Sequence, residues 1–205
     1  MAESVKRSKM KDGVCLLVVA LSLVAGCGRR DRLRDELIEA SRAGYIFTVQ
    51  DLVEAGVDVN ARAGAASTTA LMEASRAGHL NVVEYLLARG ADIDARSGIN
   101  YTTPLMEAVA HGHGEVAQRL IKQGAKLDLR GPPREITHAG RIIFQGKTAF
   151  LIAVAGGHIE TAKLLKAAGA DIGLRDQNGY SAVQVALRAG KEEMARELIR
   201  LGFEE

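Results

Sequence analysis

Five histidines, two cysteines and a regular scatter of carboxylates are the groups in this 205-residue chain that could do chemistry. His79, His113 and His158 each follow a glycine, and Tyr45 and Lys191 hold the same place after two further glycines. Imidazoles repeated in this way suit either a metal or haem ligand, or a turn held by bonds to local backbone. Positions one unit apart in a helical stack lie roughly 10 Å apart, too far to share one ion. His111 and His113 stand closer together, but a metal needs three or four ligands and the sequence offers no others beside them. Turn stabilisation is the expectation, with no metal and no cofactor. Ser67-Thr68-Thr69 and Thr102-Thr103 fit helix caps better than a nucleophile beside a base. The chain has no glycine-rich phosphate loop, zinc-hydrolase motif or dinucleotide fingerprint, so neither catalysis nor a small-molecule substrate is expected.

Two charged series remain as candidates for binding. Glu39, Glu73 and Glu107 share one helical register, with Arg42 and Arg76 three residues further on and Arg188 in the arginine register. Each Glu–Arg pair within a helix is worth about 0.2–0.5 kcal/mol. The face is thus either solvated and laced with weak pairs, or a polar docking surface that includes Glu73, Arg76, Glu107 and His111. Arg62, Arg96, Arg130 and Arg175 form the second series, one per extended segment. They are either a regular feature of the scaffold or a site for an acidic partner or a lipid phosphate.

The elements that position these groups recur along the chain. Gly44, Gly78, Gly112, Gly157 and Gly190 are matched by a second series, Gly56, Gly90, Gly124, Gly169 and Gly202. Each unit reads as an apolar helix, a glycine turn, a second apolar helix, a glycine stop and an extended Ala-Asp-Ile-Asp-like piece. Apolar residues make up 47% of the chain and aromatics 4%, with no Trp, so a folded, aliphatic core is expected. Four of the 27 basic and two of the 25 acidic residues lie in positions 1–26, so the remainder carries 23 of each. A neutral body argues against nucleic-acid binding.

Thr69-Ala70-Leu71-Met72-Glu73-Ala74, Gly78-His79-Leu80-Asn81-Val82-Val83-Glu84-Tyr85-Leu86-Leu87 and Gly90-Ala91-Asp92-Ile93-Asp94-Ala95 make one whole unit. Thr103-Pro104-Leu105, Gly112-His113-Gly114-Glu115-Val116, Gly157-His158-Ile159-Glu160 and Asp176-Gln177-Asn178-Gly179-Tyr180-Ser181 repeat parts of it. The pattern resembles the ankyrin repeat over roughly residues 33–203. The resemblance implies an all-α repeat solenoid of about five helix-turn-helix units with projecting β-hairpin arms, occupying residues 32–205. The units fall at about 33–66, 67–100, 101–145, 147–179 and 180–205. It also implies non-catalytic protein–protein interaction, and a basic residue in each arm as a family habit. The His of the family's T-P-L-H motif is replaced by Met72, Met106, Leu151 and Gln184, which predicts a weaker polar network between units. Charged residues at 31–36 and 191–200 predict polar capping units at both ends.

Residues 1–26 read as an export signal. A basic start precedes Val14–Ala25, twelve residues that are apolar except for Ser22 and too short to span a bilayer. Leu23-Val24-Ala25-Gly26-Cys27 resembles a bacterial lipobox, which implies a lipid on Cys27 and a membrane anchor. A short tether, 27–31, follows. By the same resemblance Gly28 after the cysteine favours the periplasmic face of the outer membrane in a Gram-negative cell.

The third-to-fourth glycine spacing inserts about 12 residues, at 131–146. Pro132-Pro133 stiffens its start, and the apolar residues on either side of His138-Ala139-Gly140 predict a lengthened hairpin. Its apolar side chains either pack on neighbouring arms or meet a partner, and Ile136, His138, Arg141, Ile142 and Phe144 are the contact candidates. The functional expectation is an envelope protein, anchored by lipid, that binds an unidentified protein partner. Exported relatives of this kind support or neutralise a periplasmic protein. A histidine-based metal or ligand carrier and a purely structural envelope protein are the alternatives.

Overall fold

The computed structural model describes residues 28–98, 101–130 and 146–203. Five helix pairs follow one another: α1 (Gly28–Ala43) with α2 (Ile46–Glu54), α3 (Ala70–Ala77) with α4 (Leu80–Ala88), and α5 (Pro104–Ala110) with α6 (Gly114–Lys122). They continue with α7 (Ala149–Gly156) and α8 (Ile159–Ala167), then α9 (Ala182–Arg188) and α10 (Glu192–Arg200). Among the described residues the sheet content is one two-stranded antiparallel hairpin, β1 (Arg62–Ala63) and β2 (Thr68–Thr69), with Arg62 opposite Thr69. The first helix begins at Gly28, so residues expected to be tether are helical instead.

The odd-numbered helices are the inner layer, and α3, α5 and α7 are each covered by two inner neighbours and by their own outer helix. Ala70–Ser75 of α3 and Ala149–Val154 of α7 are therefore buried without a break. Alanine recurs at the tightest point, as Ala40, Ala74, Ala108, Ala153 and Ala186, all at 5% exposure or less. A methyl side chain lets adjacent helix axes approach closely, as ridge-into-groove packing requires. Around it, Leu37, Leu71, Leu105, Phe150 and Val183 fill the inner register, and Leu52, Leu86, Leu120, Leu165 and Leu198 the outer one. Among the described residues the buried core runs from Leu33 to Leu198, all of it within a chain starting at residue 28.

Hydroxyl caps start four inner helices. Thr69, Thr103, Thr148 and Ser181 accept the N–H of Met72, Met106, Leu151 and Gln184. The Gln184 side chain also accepts the Ser181 N–H, closing a capping box. Where the family pattern carries histidine, Met72, Met106 and Leu151 are buried at 0–1% exposure and pack as core.

Polar bonds between units come from elsewhere. Nε2 of His79 lies 2.9 Å from the Arg42 carbonyl, and Nε2 of His113 lies 3.0 Å from the Arg76 carbonyl. Each ring thus reaches the preceding unit, not its own turn. Arg62 donates to the Arg96 carbonyl, and Arg130 donates to the Arg175 carbonyl at 3.1 Å. Asn60, Asp94 and Asp128 accept the N–H of Asp92, Lys126 and Asp171 at 2.7, 2.9 and 3.0 Å. Each such bond is worth about 0.5–1.5 kcal/mol. The network expected to be weak is instead carried by residues outside the missing histidine position.

The ends depart from simple polar caps. Tyr45 and Phe47 are exposed in the first unit, and Leu187, Ile199 and Leu201 in the last.

Candidate partner-binding groove

Between the first arm and the inner helices α1, α3 and α5 lies a cleft of about 250 Å³. The segment Ala63-Gly64-Ala65-Ala66 forms one wall, and its small side chains leave the space open. Met72, Glu73, Thr102 and Glu107 line it more deeply, with Arg42 and Arg76 also facing it.

Glu73 sits at 4% exposure, so this face is not simply a solvated row of ion pairs. The arm and the neighbouring helices cover its carboxylate. Arg42 Nε reaches Glu73 across the unit boundary at 3.1 Å, closer than the 3.4 Å separating Arg42 from Glu39 in its own helix. Arg76 stands 4.0 Å from Glu73 on the other side. Both arginines remain about half exposed, so their guanidinium edges are open to a partner.

Glu107 is less well compensated. Its side chain is 14% exposed, and the nearest ionisable nitrogen is His111 Nδ1 at 3.9 Å. That nitrogen also lies 3.0 Å from the Glu107 carbonyl oxygen. Burial raises the carboxyl pKa above the ordinary value; Thr102, His111 and Arg76 oppose the rise and Glu73 adds to it. The folded chain therefore holds a proton at a pH where the unfolded chain has released it, and stability falls as pH rises through the raised pKa. Glu107→Gln is expected to be more stable than the parent at about pH 8 and to lose that advantage below about pH 4, where both states are protonated. Denaturant titrations at the two pH values check this, and an advantage that does not change with pH refutes it.

The cleft therefore joins Glu73, Arg76 and Glu107 as lining groups, with His111 beside Glu107, and adds Arg42, Thr102 and the alanine wall. Arg62 and Arg130 stand apart from this group in function, since their guanidinium groups hold neighbouring arms, and Arg96 supplies a carbonyl to that ladder. Cys27 and the insert candidates Ile136, His138, Arg141, Ile142 and Phe144 lie outside the described residues. Among the described residues no group of three His, Cys, Asp or Glu side chains is placed to hold a metal ion, and no helix is long and apolar enough to cross a membrane.

The alanine wall was not legible as part of a site, because Ala63–Ala66 carry no chemistry of their own. Asn60, Asp94 and Asp128 did leave a signal, a 34-residue spacing equal to that of the first glycines.

The architecture is that of a helical repeat protein. The chain matches the family model described as "Ankyrin repeats (3 copies)" over residues 37–131 and 133–204, and it belongs to that family. Ankyrin repeats are protein–protein interaction modules and are typically non-catalytic. No curated protein matches the chain.

Proposed function

We propose that this chain is a lipid-anchored ankyrin-repeat protein of the bacterial cell envelope that binds one protein partner through the groove of its first three units. The observation that carries the binding role is the cleft itself, with half-exposed Arg42 and Arg76 around two largely buried carboxylates. Paired charges in a concave setting give register and selectivity to a docking partner more than raw affinity. The anchor rests on the basic start, the twelve-residue apolar run and Leu23–Cys27. A diacylglyceryl and an N-acyl group on Cys27 together suffice for stable attachment. In a Gram-negative cell the repeats would face the periplasm from the outer membrane, where they would support or neutralise their partner. The metal-carrier alternative is disfavoured because the His79 and His113 rings are engaged with carbonyls of the preceding unit.

Affinity capture from envelope extract tests the reading, with the 28–205 chain, an Arg42→Glu/Arg76→Glu variant and a version with the insert trimmed. One protein recovered by the parent and reduced at least tenfold by the double variant supports the groove. Loss on trimming alone moves the contact to the insert, and equal recovery by all three overturns both sites. Fatty-acid labelling of the full chain, lost in Cys27→Ala, tests the anchor separately.

A further inference from the structure

The units in this stack lean on one another through contacts that recur from junction to junction, and the two ends carry residues in the same registers. The residue after the first-series glycine turns back onto the preceding unit's glycine. A Cβ added at Gly44 would lie 2.7 Å from the His79 ring, and one at Gly78 would lie 2.5 Å from the His113 ring. His158 and Lys191 cover Gly112 and Gly157 in the same way, each at 3.1 Å. Gly190 is left with open space around it among the described residues, at φ +68°. Tyr45, the first unit's residue in the covering register, is 65% exposed.

The inner helices show the same asymmetry. Leu187 shares a register with Ser41, Ser75, Val109 and Val154, all fully buried, yet it is 51% exposed. The Arg42–Glu73 bridge also has its two halves at the ends. Arg188 occupies the arginine register in the last unit; among the described residues it lies over the Tyr180 ring at 4.4 Å and pairs with no carboxylate. Glu39 occupies the Glu73 register in the first unit; it pairs with Arg42 of its own helix at 3.4 Å, and its side chain is 67% exposed.

We propose that a second copy of this chain docks head to tail on the first, continuing the stack. Its Tyr45 would cover Gly190, its α1 would cover Leu187, and its Glu39 would meet Arg188. The contact is heterologous, since one end meets the other, so it leaves a free end on each side and extends beyond a dimer unless it closes into a ring. The polar flanks of α1 and α10 keep it weak and reversible.

Sedimentation equilibrium of the 28–205 chain over a wide concentration range tests this. The weight-average mass is expected to rise with concentration past the dimer. Glu39→Arg places like charges across the contact and should weaken association at least about tenfold, as Arg188→Glu should. The combined Glu39→Arg/Arg188→Glu chain restores opposite charges and should recover most of the loss. Leu187→Asp should weaken association with no rescue by either swap. These side chains are exposed, so far-UV circular dichroism should remain at the parent level. A mass that stays monomeric throughout overturns the proposal, and so does association that none of the four variants changes.

Discussion

Gly78→Ala is expected to destabilise the protein by about 2–4 kcal/mol, roughly twice the loss from Gly90→Ala. Both glycines have positive φ, +79° and +83°. A non-glycine residue there costs about 1–2 kcal/mol through its Cβ alone. The two sites differ in what surrounds them: a Cβ at Gly90 meets nothing within 4 Å, and one at Gly78 meets the His113 ring at 2.5–2.9 Å. The ring must move, and its bond to the Arg76 carbonyl at 3.0 Å goes with it, a further loss of about 1 kcal/mol. Denaturant unfolding of the two variants reads the difference directly. Adding His113→Ala to Gly78→Ala should cost less than His113→Ala in the parent, because the two residues share one contact. Equal losses at Gly78 and Gly90 would show that the ring yields freely and that the joint between units does not depend on it.

Phe150→Ala should cost about 3–5 kcal/mol, the usual range for emptying a buried aromatic site. Phe150 is 1% exposed and holds the register that leucine fills in the three preceding units. Its ring stacks on Phe203 at 5.8 Å, and Lys166 Nζ lies 5.1 Å from the Phe203 ring on that side of the fold. The cavity therefore opens between the fourth unit and the end of the fifth. Because a repeat stack is held by nearest-neighbour contacts, the damage should stay local. Hydrogen exchange should show protection falling by two to three orders of magnitude, about 3–4 kcal/mol, across 146–203 while α3 and α5 keep most of theirs. A uniform fall along the chain would mean that the five units unfold as one.

The helices and their order were legible in the sequence because their signals are local. Glycine at a left-handed stop, threonine at a cap and apolar residues along a helix each act within a few residues. The groove was only half legible. Glu73 and Arg76 could be paired by spacing within α3, but the shorter contact to Glu73 comes from Arg42, one unit earlier. The burial of Glu73 and Glu107 depends on what the arm and adjacent helices cover, which no single helix reveals. The histidines show the same limit: their spacing predicted a turn role, and the atoms they bond belong to the preceding unit.

Many of the cross-unit bonds end on main-chain atoms, beside side-chain pairs such as Arg42–Glu73, Arg89–Glu54 and Lys163–Glu197. His79, His113, Arg62 and Arg130 grip carbonyl oxygens, and Asn60, Asp94 and Asp128 accept N–H groups. A clasp on the main chain is indifferent to the side chain of the residue it holds. Arg42, Arg76, Arg96 and Arg175 could therefore be exchanged for other residues without loosening the clasps that use their carbonyls. The same tolerance applies to length, since Arg130 still reaches Arg175 and Asp128 still reaches Asp171 across the long spacing. The clasps and the side chains of the residues they hold can thus change independently. Such a protein can change the lining of its groove by substitution, or the length of an arm by insertion, while these clasps stay closed.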